Sequence, residues 1–396
     1  MQRGNPMQGQ TVKRVCSSPL LVAVAAVLTI YLIPSPINPK PVRLSDHLPV
    51  LEGPLTINRN LQKVTKLFEG QILGPESFAV GQDGSIYTGS ADGRIWRIKD
   101  DTLTYIARTG VEHQDCGLYA LEHVCGRPKG MKVDARGDLI VVDSYKGILR
   151  VELETGRVET LLDSFNNSRF LFLNAMDILH NGTILISESS TKWERRDYRY
   201  EVIETNNLGR ILALDPETRR AWLVADGLYL ANGMTLTHDQ NAILVAEMSL
   251  SRISKIYLTG RQAGQREVLV SNLPGYPDNI KPNSRGHYYV GLGSVRFVGS
   301  SPLGSFLDLV GPYPAVKRTV AKLIPAAMFD VFLPKHAILL EISDSGSIVT
   351  SHHDPGASTL TALSEAFQHG EDVYVGHFKI PFVGRMKSYE LHTEES

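Results

Sequence analysis

The sequence predicts an all-β chain, a six-bladed β-propeller preceded by an N-terminal transmembrane helix. Three observations carry the propeller. First, a glycine-marked polar turn, a short β-branched or aromatic run, a second glycine turn and a second run recur along the chain, as in Gly84-Ser85-Ile86-Tyr87 followed by Gly93-Arg94-Ile95-Trp96. Runs of this kind bounded by turn residues read as short paired strands. Second, the units begin near positions 84, 137, 182, 241, 286 and 371, and a spacing of roughly 45 residues is that of four-stranded blades around a central channel. Third, Val64-Thr65-Lys66-Leu67-Phe68 precedes the first unit, where it can complete the last blade and remove two open sheet edges.

Taken in order, the chain opens with Arg3, Lys13 and Arg14 ahead of an uncharged run from Val15 to Ile33. The dense apolar part, Leu20 to Ile33, is 14 residues, short of the ~20 that cross a bilayer comfortably. Counting from Val15 gives 19. A cleaved signal peptide is the rival reading, but Pro34-Ser35-Pro36 follows directly, with no small-x-small site before it. The expectation is a cytosolic tail over 1–14 and an uncleaved signal anchor over 15–33, placing the remainder in the lumen or outside as a single-pass type II membrane protein. Residues 34–60 are proline-rich and aperiodic, an extended stalk. The propeller occupies 61–390, with the long last interval holding an insertion at about 295–335. Its stretch from Val316 to Phe332 mixes Lys317, Arg318 and Lys322 with apolar residues, which suits a helix on a membrane surface or one capping the ring.

Lys plus Arg number 41 against 42 Asp plus Glu, so no basic stripe marks a nucleic-acid partner. Cys116 and Cys125 lie nine positions apart. In an oxidising compartment they read as one disulfide; a zinc site would need His113 and His123 as well, and the spacing is not a usual one for zinc. Asn166 and Asn181 stand in glycosylation sequons, which matter only if the topology is lumenal.

In a propeller the innermost strand of each blade starts near the channel, so polar residues just before these strands converge on the axis. Reading there gives Glu76, Asn174, Asn232 and the adjacent pair Asp278-Asn279. Two carboxylates and up to three amide carbonyls form an oxygen-only set suited to Ca²⁺, and two unpaired acidic groups would otherwise repel. The second blade offers Lys129 at the equivalent place, and the sixth offers Ser364 and Glu365.

These residues, together with Gly74-Pro75-Glu76-Ser77, Cys125-Gly126-Arg127-Pro128, the string Lys192-Trp193-Glu194-Arg195-Arg196-Asp197-Tyr198 and Gly275-Tyr276-Pro277-Asp278-Asn279-Ile280, resemble the strictosidine synthase-like six-bladed calcium propellers, relatives of paraoxonase and gluconolactonase. The resemblance implies a membrane glycoprotein with arylesterase-like activity on a small ester or lactone, and assigns Glu76, Asn174, Asn232, Asp278 and Asn279 as calcium ligands. It also shows departures. Lys129 and Ser144 stand where paraoxonase has its two catalytic histidines, and Ser364 where strictosidine synthase has its catalytic glutamate. Strictosidine synthesis is therefore not expected.

The candidates left for a catalytic base are Lys129, Ser364 and His369, with His352 and His353 on nearby loops. Lys129 would need desolvation to act as a base, and no Gly-x-Ser-x-Gly elbow supports a serine nucleophile. The expected function is calcium-dependent hydrolysis of aryl esters or lactones. The alternative is a non-catalytic, calcium-stabilised propeller that binds a partner, since fold alone supports either.

Overall fold

The computed structural model describes residues 19–301 and 305–392. Among these, six four-stranded antiparallel sheets and one small hairpin make up the β-structure. Five sheets are consecutive meanders, beginning with strands Phe78–Val80, Pro128–Val133, Leu173–Ile178, Ala231–Leu236 and Gly275–Pro282. The sixth joins Glu365–His369, Asp372–Gly376 and Val383–Lys387 to the N-terminal strand Thr65–Leu67. Thr65 pairs with Arg385 and Leu67 with Val383, so the ring closes as the sequence predicts.

Each blade is sandwiched between two others, which is why second strands such as Leu139–Asp143 and Ala242–Glu247 are buried throughout and read as unbroken apolar runs. The core lies in the seams between blades. Ile140, Val142 and Ile148 of the second blade pack against Met176, Ile184 and Ile186 of the third. Phe78 and Ile86 of the first meet Tyr374 and Val383 of the sixth. Outer strands such as Arg266–Val270 are largely exposed.

The insertion separates the second strand of the fifth blade, Tyr288–Val295, from its third, His336–Ile342, as expected. It contains helices Phe306–Val310 and Pro314–Leu323 and a 3₁₀ segment Ala326–Phe332. Asp330 accepts hydrogen bonds from Arg199 Nε (2.9 Å) and the Tyr198 hydroxyl (3.1 Å), latching the insertion onto the third blade. The insertion thus caps the ring.

The membrane expectation is overturned. No helix among the described residues is long and apolar enough to cross a membrane. The N-terminal helix Pro19–Leu32 has 14 residues, about 21 Å at 1.5 Å per residue, against a hydrocarbon core of ~30 Å. The tail at 1–14 and the start of the expected anchor, 15–18, lie outside the described residues. The helix end rests on the insertion, where Lys322 Nζ donates to the carbonyls of Ile30 (3.1 Å) and Tyr31 (3.2 Å). A cation there suits the negative end of a helix. Residues 34–60, read as a stalk, lie against the propeller: Ile37 is buried, Val42 N donates to Gly311 O, and Arg296 donates to Ser45 Oγ.

Cys116 and Cys125 form the expected disulfide. Asn166 is exposed at the tip of the hairpin Ser164–Phe165/Ser168–Arg169, where Asn166 and Asn167 both take positive φ, as a two-residue hairpin turn requires. Asn181 is exposed in a turn before the strand Ile184–Glu188.

Candidate active site

The first strands of neighbouring blades lie against one another around the axis. Four of them carry a register shift at the same place: between Pro128 and Met131, Leu173 and Met176, Ala231 and Met234, and Pro277 and Ile280. A bulge bends a strand and re-aims its side chains. The residues inside these shifts are Lys129, Asn174, Asn232 and the pair Asp278-Asn279, each ahead of a Met or Ile that resumes the ladder. Small residues let the strands approach there: a Cβ on Gly130 would meet Ala175 Cα at 2.7 Å, and one on Gly233 would meet Asn279 Cα at 2.4 Å.

Glu76, Lys129, Asn174, Asn232 and Asp278 all line one cavity, which encloses roughly 1050 Å³ counting its solvent-open mouth. Its polar floor is buried, and its walls are apolar: Phe172, Leu230, Met248, Tyr276 and Phe378 from the blades, with Phe306, Leu307 and Phe329 from the insertion. Asn174 Nδ2 donates to Ser189 Oγ (3.0 Å) and Asn232 Nδ2 to Met248 Sδ (3.3 Å). That leaves Oδ1 of both asparagines, and Oδ1 of Asp278, buried without a hydrogen-bond partner. Asn279 is turned differently. Its Nδ2 donates to the Glu76 carbonyl (3.3 Å) and its N–H to the Ser364 carbonyl (3.0 Å), tying the fifth blade to the first and sixth.

One of the two carboxylates, Glu76, is not left unpaired, contrary to the sequence expectation. Glu76 accepts from Lys129 Nζ and from Arg127 Nη2 (2.9 Å), and Arg195 stands 3.9 Å away. Burial alone would raise the Glu76 carboxyl, but Lys129, Arg127 and Arg195 hold it down at about 2. Asp278 goes the other way, pushed well above the usual carboxylate range by burial and by the nearby Glu76 charge. Burial pushes the Lys129 amine below its ordinary value, with Glu76 opposing. Arg195 is itself anchored by Glu122 (2.5 Å), whose other oxygen accepts from the Tyr145 hydroxyl (2.8 Å).

Of the three candidate bases, Lys129 alone lines the cavity. Ser364 is fully buried behind Asp278, its hydroxyl close enough to favour the carboxylate but without a full hydrogen bond. His369 is corrected: it is exposed at the outer turn where Glu365–His369 meets Asp372–Gly376. His352 and His353 are buried in the last strand of the fifth blade and are not among the lining residues. The sequence reading missed Arg127, Arg195, Tyr198 and Arg199. The signal was the string 192–198, which places Arg195 and Tyr198 in the cavity wall through the 3₁₀ turn Arg195–Asp197 and the helix Tyr198–Glu204.

That helix carries a testable titration. Glu201 is fully buried, accepts from Ser190 Oγ (2.6 Å) and Asn206 Nδ2 (2.8 Å), and leaves Oε1 without a partner. Burial pushes its carboxyl up to about 7 against those two donors. A raised folded-state value favours the neutral acid, so this stabilisation is full below the unfolded value of ~4.3 and is lost as pH rises through about 7. Glu201→Gln should remove a loss of up to roughly 1.4 kcal/mol per pH unit. Melting curves of the two proteins from pH 5 to 7 should therefore diverge, the variant becoming relatively more stable.

Comparison with known proteins now decides the family. Residues 53–98 match the strictosidine synthase-like N-terminal family and residues 174–261 the strictosidine synthase family. The human adipocyte plasma membrane-associated protein is 37% identical, over 90% of this chain and 85% of its own. The chain belongs to the strictosidine synthase-like family. Among solved structures, a gluconolactonase from Xanthomonas campestris aligns with a TM-score of 0.56 at 13% identity, covering 90% of this chain and 99% of its own. A calcium-binding regucalcin from Agrobacterium tumefaciens aligns at 0.53 and 10%, covering 81% and 92%. At such identities these two likenesses establish the strictosidine synthase-like chain as a member of the same propeller fold.

Proposed function

We propose that this protein is a hydrolase of aryl esters or lactones that uses calcium held by Glu76, Asn174, Asn232, Asp278 and Asn279. The observation that carries the reading is the set of buried, unpartnered oxygens of Asn174, Asn232 and Asp278 on the floor of an aromatic-walled cavity. Burying acceptors without partners costs free energy, and hard oxygen donors of this kind fit Ca²⁺. Glu76 completes the set once Lys129 Nζ yields one of its oxygens. Bound calcium would supply Lewis-acid polarisation of a substrate carbonyl.

The chain's own residues do the rest. The aromatic and aliphatic walls bind the apolar body of the substrate, as small-molecule pockets do. The insertion residues Phe306, Leu307 and Phe329 exclude water from above. Lys129 lines the same cavity, and its Nζ, released from Glu76, presents N–H donors to negative charge developing on a carbonyl oxygen, an electrostatic role that a water-poor site strengthens. Among the fold neighbours, the gluconolactonase and the calcium-binding regucalcin support this reading.

The test is a panel of phenyl acetate and five- and six-membered lactones assayed on purified full-length protein before and after chelation. Turnover that disappears with chelator and returns with calcium is the expected result. No turnover on any panel member, with calcium still raising the melting temperature, would point to a binding propeller instead.

A further inference from the structure

A second cluster of side chains able to ligate a metal lies outside the cavity, where Asn58, Asn60 and the turn Ser388–Leu391 meet the fifth blade. Glu341 on the strand His336–Ile342 and His352 on the strand Ile348–Pro355 share a face, because His352 pairs with Leu339, two residues from Glu341. His392 follows the C-terminal 3₁₀ turn Ser388–Leu391. One ligand atom from each of Glu341, His352 and His392 lies within 4.8 Å of the others.

Two atoms of this cluster lack a hydrogen-bond partner. Glu341 Oε2 and His352 Nε2 are buried, each without a hydrogen-bond partner, in side chains that are 0% and 1% exposed. Two orphaned polar atoms facing one point are costly unless something fills it. The surroundings are those of a metal's supporting residues. His287 Nδ1 stands 2.7 Å from Glu341 Oε1, fixing the carboxylate so that Oε2 stays free. Asn60 Nδ2 lies 3.4 Å from His352 Nδ1 and donates to the Leu391 carbonyl (2.9 Å), which ties the C-terminal turn to the strand that carries this histidine.

We infer that Glu341, His352 and His392 form a zinc-class metal site that clasps the C-terminal turn to the fifth blade. Two imidazoles and one carboxylate, with water as the fourth ligand, are a donor set suited to Zn²⁺ and not to calcium, which takes oxygen ligands. Zinc bonds near 2.1 Å require donors roughly 3.4 Å apart, so the three close in slightly on binding. The group facing them is Arg285, whose Nη1 lies 2.7 Å from Nδ1 and 3.0 Å from Nε2 of His392. Its side chain is 45% exposed and swings to solvent when the metal enters.

The test uses full-length protein stripped with chelator, titrated with Zn²⁺ in millimolar calcium, and read by calorimetry and by metal content after dialysis. The expected result is one tightly held zinc per chain, with affinity weakened at least ~10-fold in His392→Ala, the usual scale for disturbing a metal shell. His392 is on the surface turn, so this variant keeps the fold; circular dichroism confirms it. Cobalt substitution gives an independent readout, with visible ligand-field bands that the variant loses. A wild-type protein that retains no zinc, zinc displaced by calcium, or unchanged affinity in His392→Ala would each overturn the inference.

Discussion

Replacing Asp278 and Asn279 together by alanine is expected to lower ester or lactone turnover by at least ~10²-fold, the scale seen when an oxyanion-stabilising group is lost. The same double variant should lose the calcium-induced rise in melting temperature. Asp278 contributes a buried oxygen with no partner, and Asn279 ties three blades together at the axis. The single change Asn279→Ala removes the tie and leaves the Asp278 oxygen in place. Kinetics of the pair of variants therefore separate the two contributions. Activity that survives the double change intact would sink the assignment of this cavity as the reacting site.

The largest stability effect is expected at Glu122. It is 3% exposed and holds Arg195, which is also buried, and the removal of one partner from a buried ion pair costs about 3–5 kcal/mol. Glu122→Ala should lower the melting temperature by roughly 5–10 °C for a domain of this size. Loss of the carboxylate also frees Arg195 to move onto Glu76, 3.9 Å away, where it would compete with any metal. Weaker calcium affinity in Glu122→Ala is thus expected alongside the lower melting temperature. Glu122→Gln keeps an acceptor for the Tyr145 hydroxyl and should lose less. Thermal melts with and without calcium check both points.

Much of the architecture was legible because propeller blades repeat. The turn-and-strand units, the closing strand Thr65–Leu67 and the bounds of the insertion follow from local pattern and spacing alone. So did the placing of Glu76, Asn174, Asn232 and Asp278, since the residue before or within an innermost strand must face the axis. What escaped was set by contacts remote in sequence. Arg127 is 51 positions from Glu76, and Arg195 is 73 from Glu122; no local pattern brings such charges together. The bulges that aim the floor residues are a matter of pairing register, which the strands do not spell out individually. His369 reads as close to loops that could edge the channel, but it ends the strand Glu365–His369 and is exposed in the turn that follows, away from the cavity lining. The anchor failed on length: among the described residues the N-terminal helix, Pro19–Leu32, has 14 residues, short of the ~20 that cross a bilayer.

The mixed sixth blade sets an order on how the molecule is made. Leu67 leaves the ribosome long before its partner Val383 is made. Until then the outer strand of the sixth blade, Thr65–Leu67, has no partner, and the first blade has no neighbour on one side. Nascent chains therefore carry open edges and an unfilled seam at Phe78 and Ile86 until the sixth blade is made. A chain released before Val383 has no way to complete the ring. Premature termination between Pro355 and Val383 should then yield aggregation-prone protein rather than a smaller working propeller, even though five of the blades would be complete in sequence.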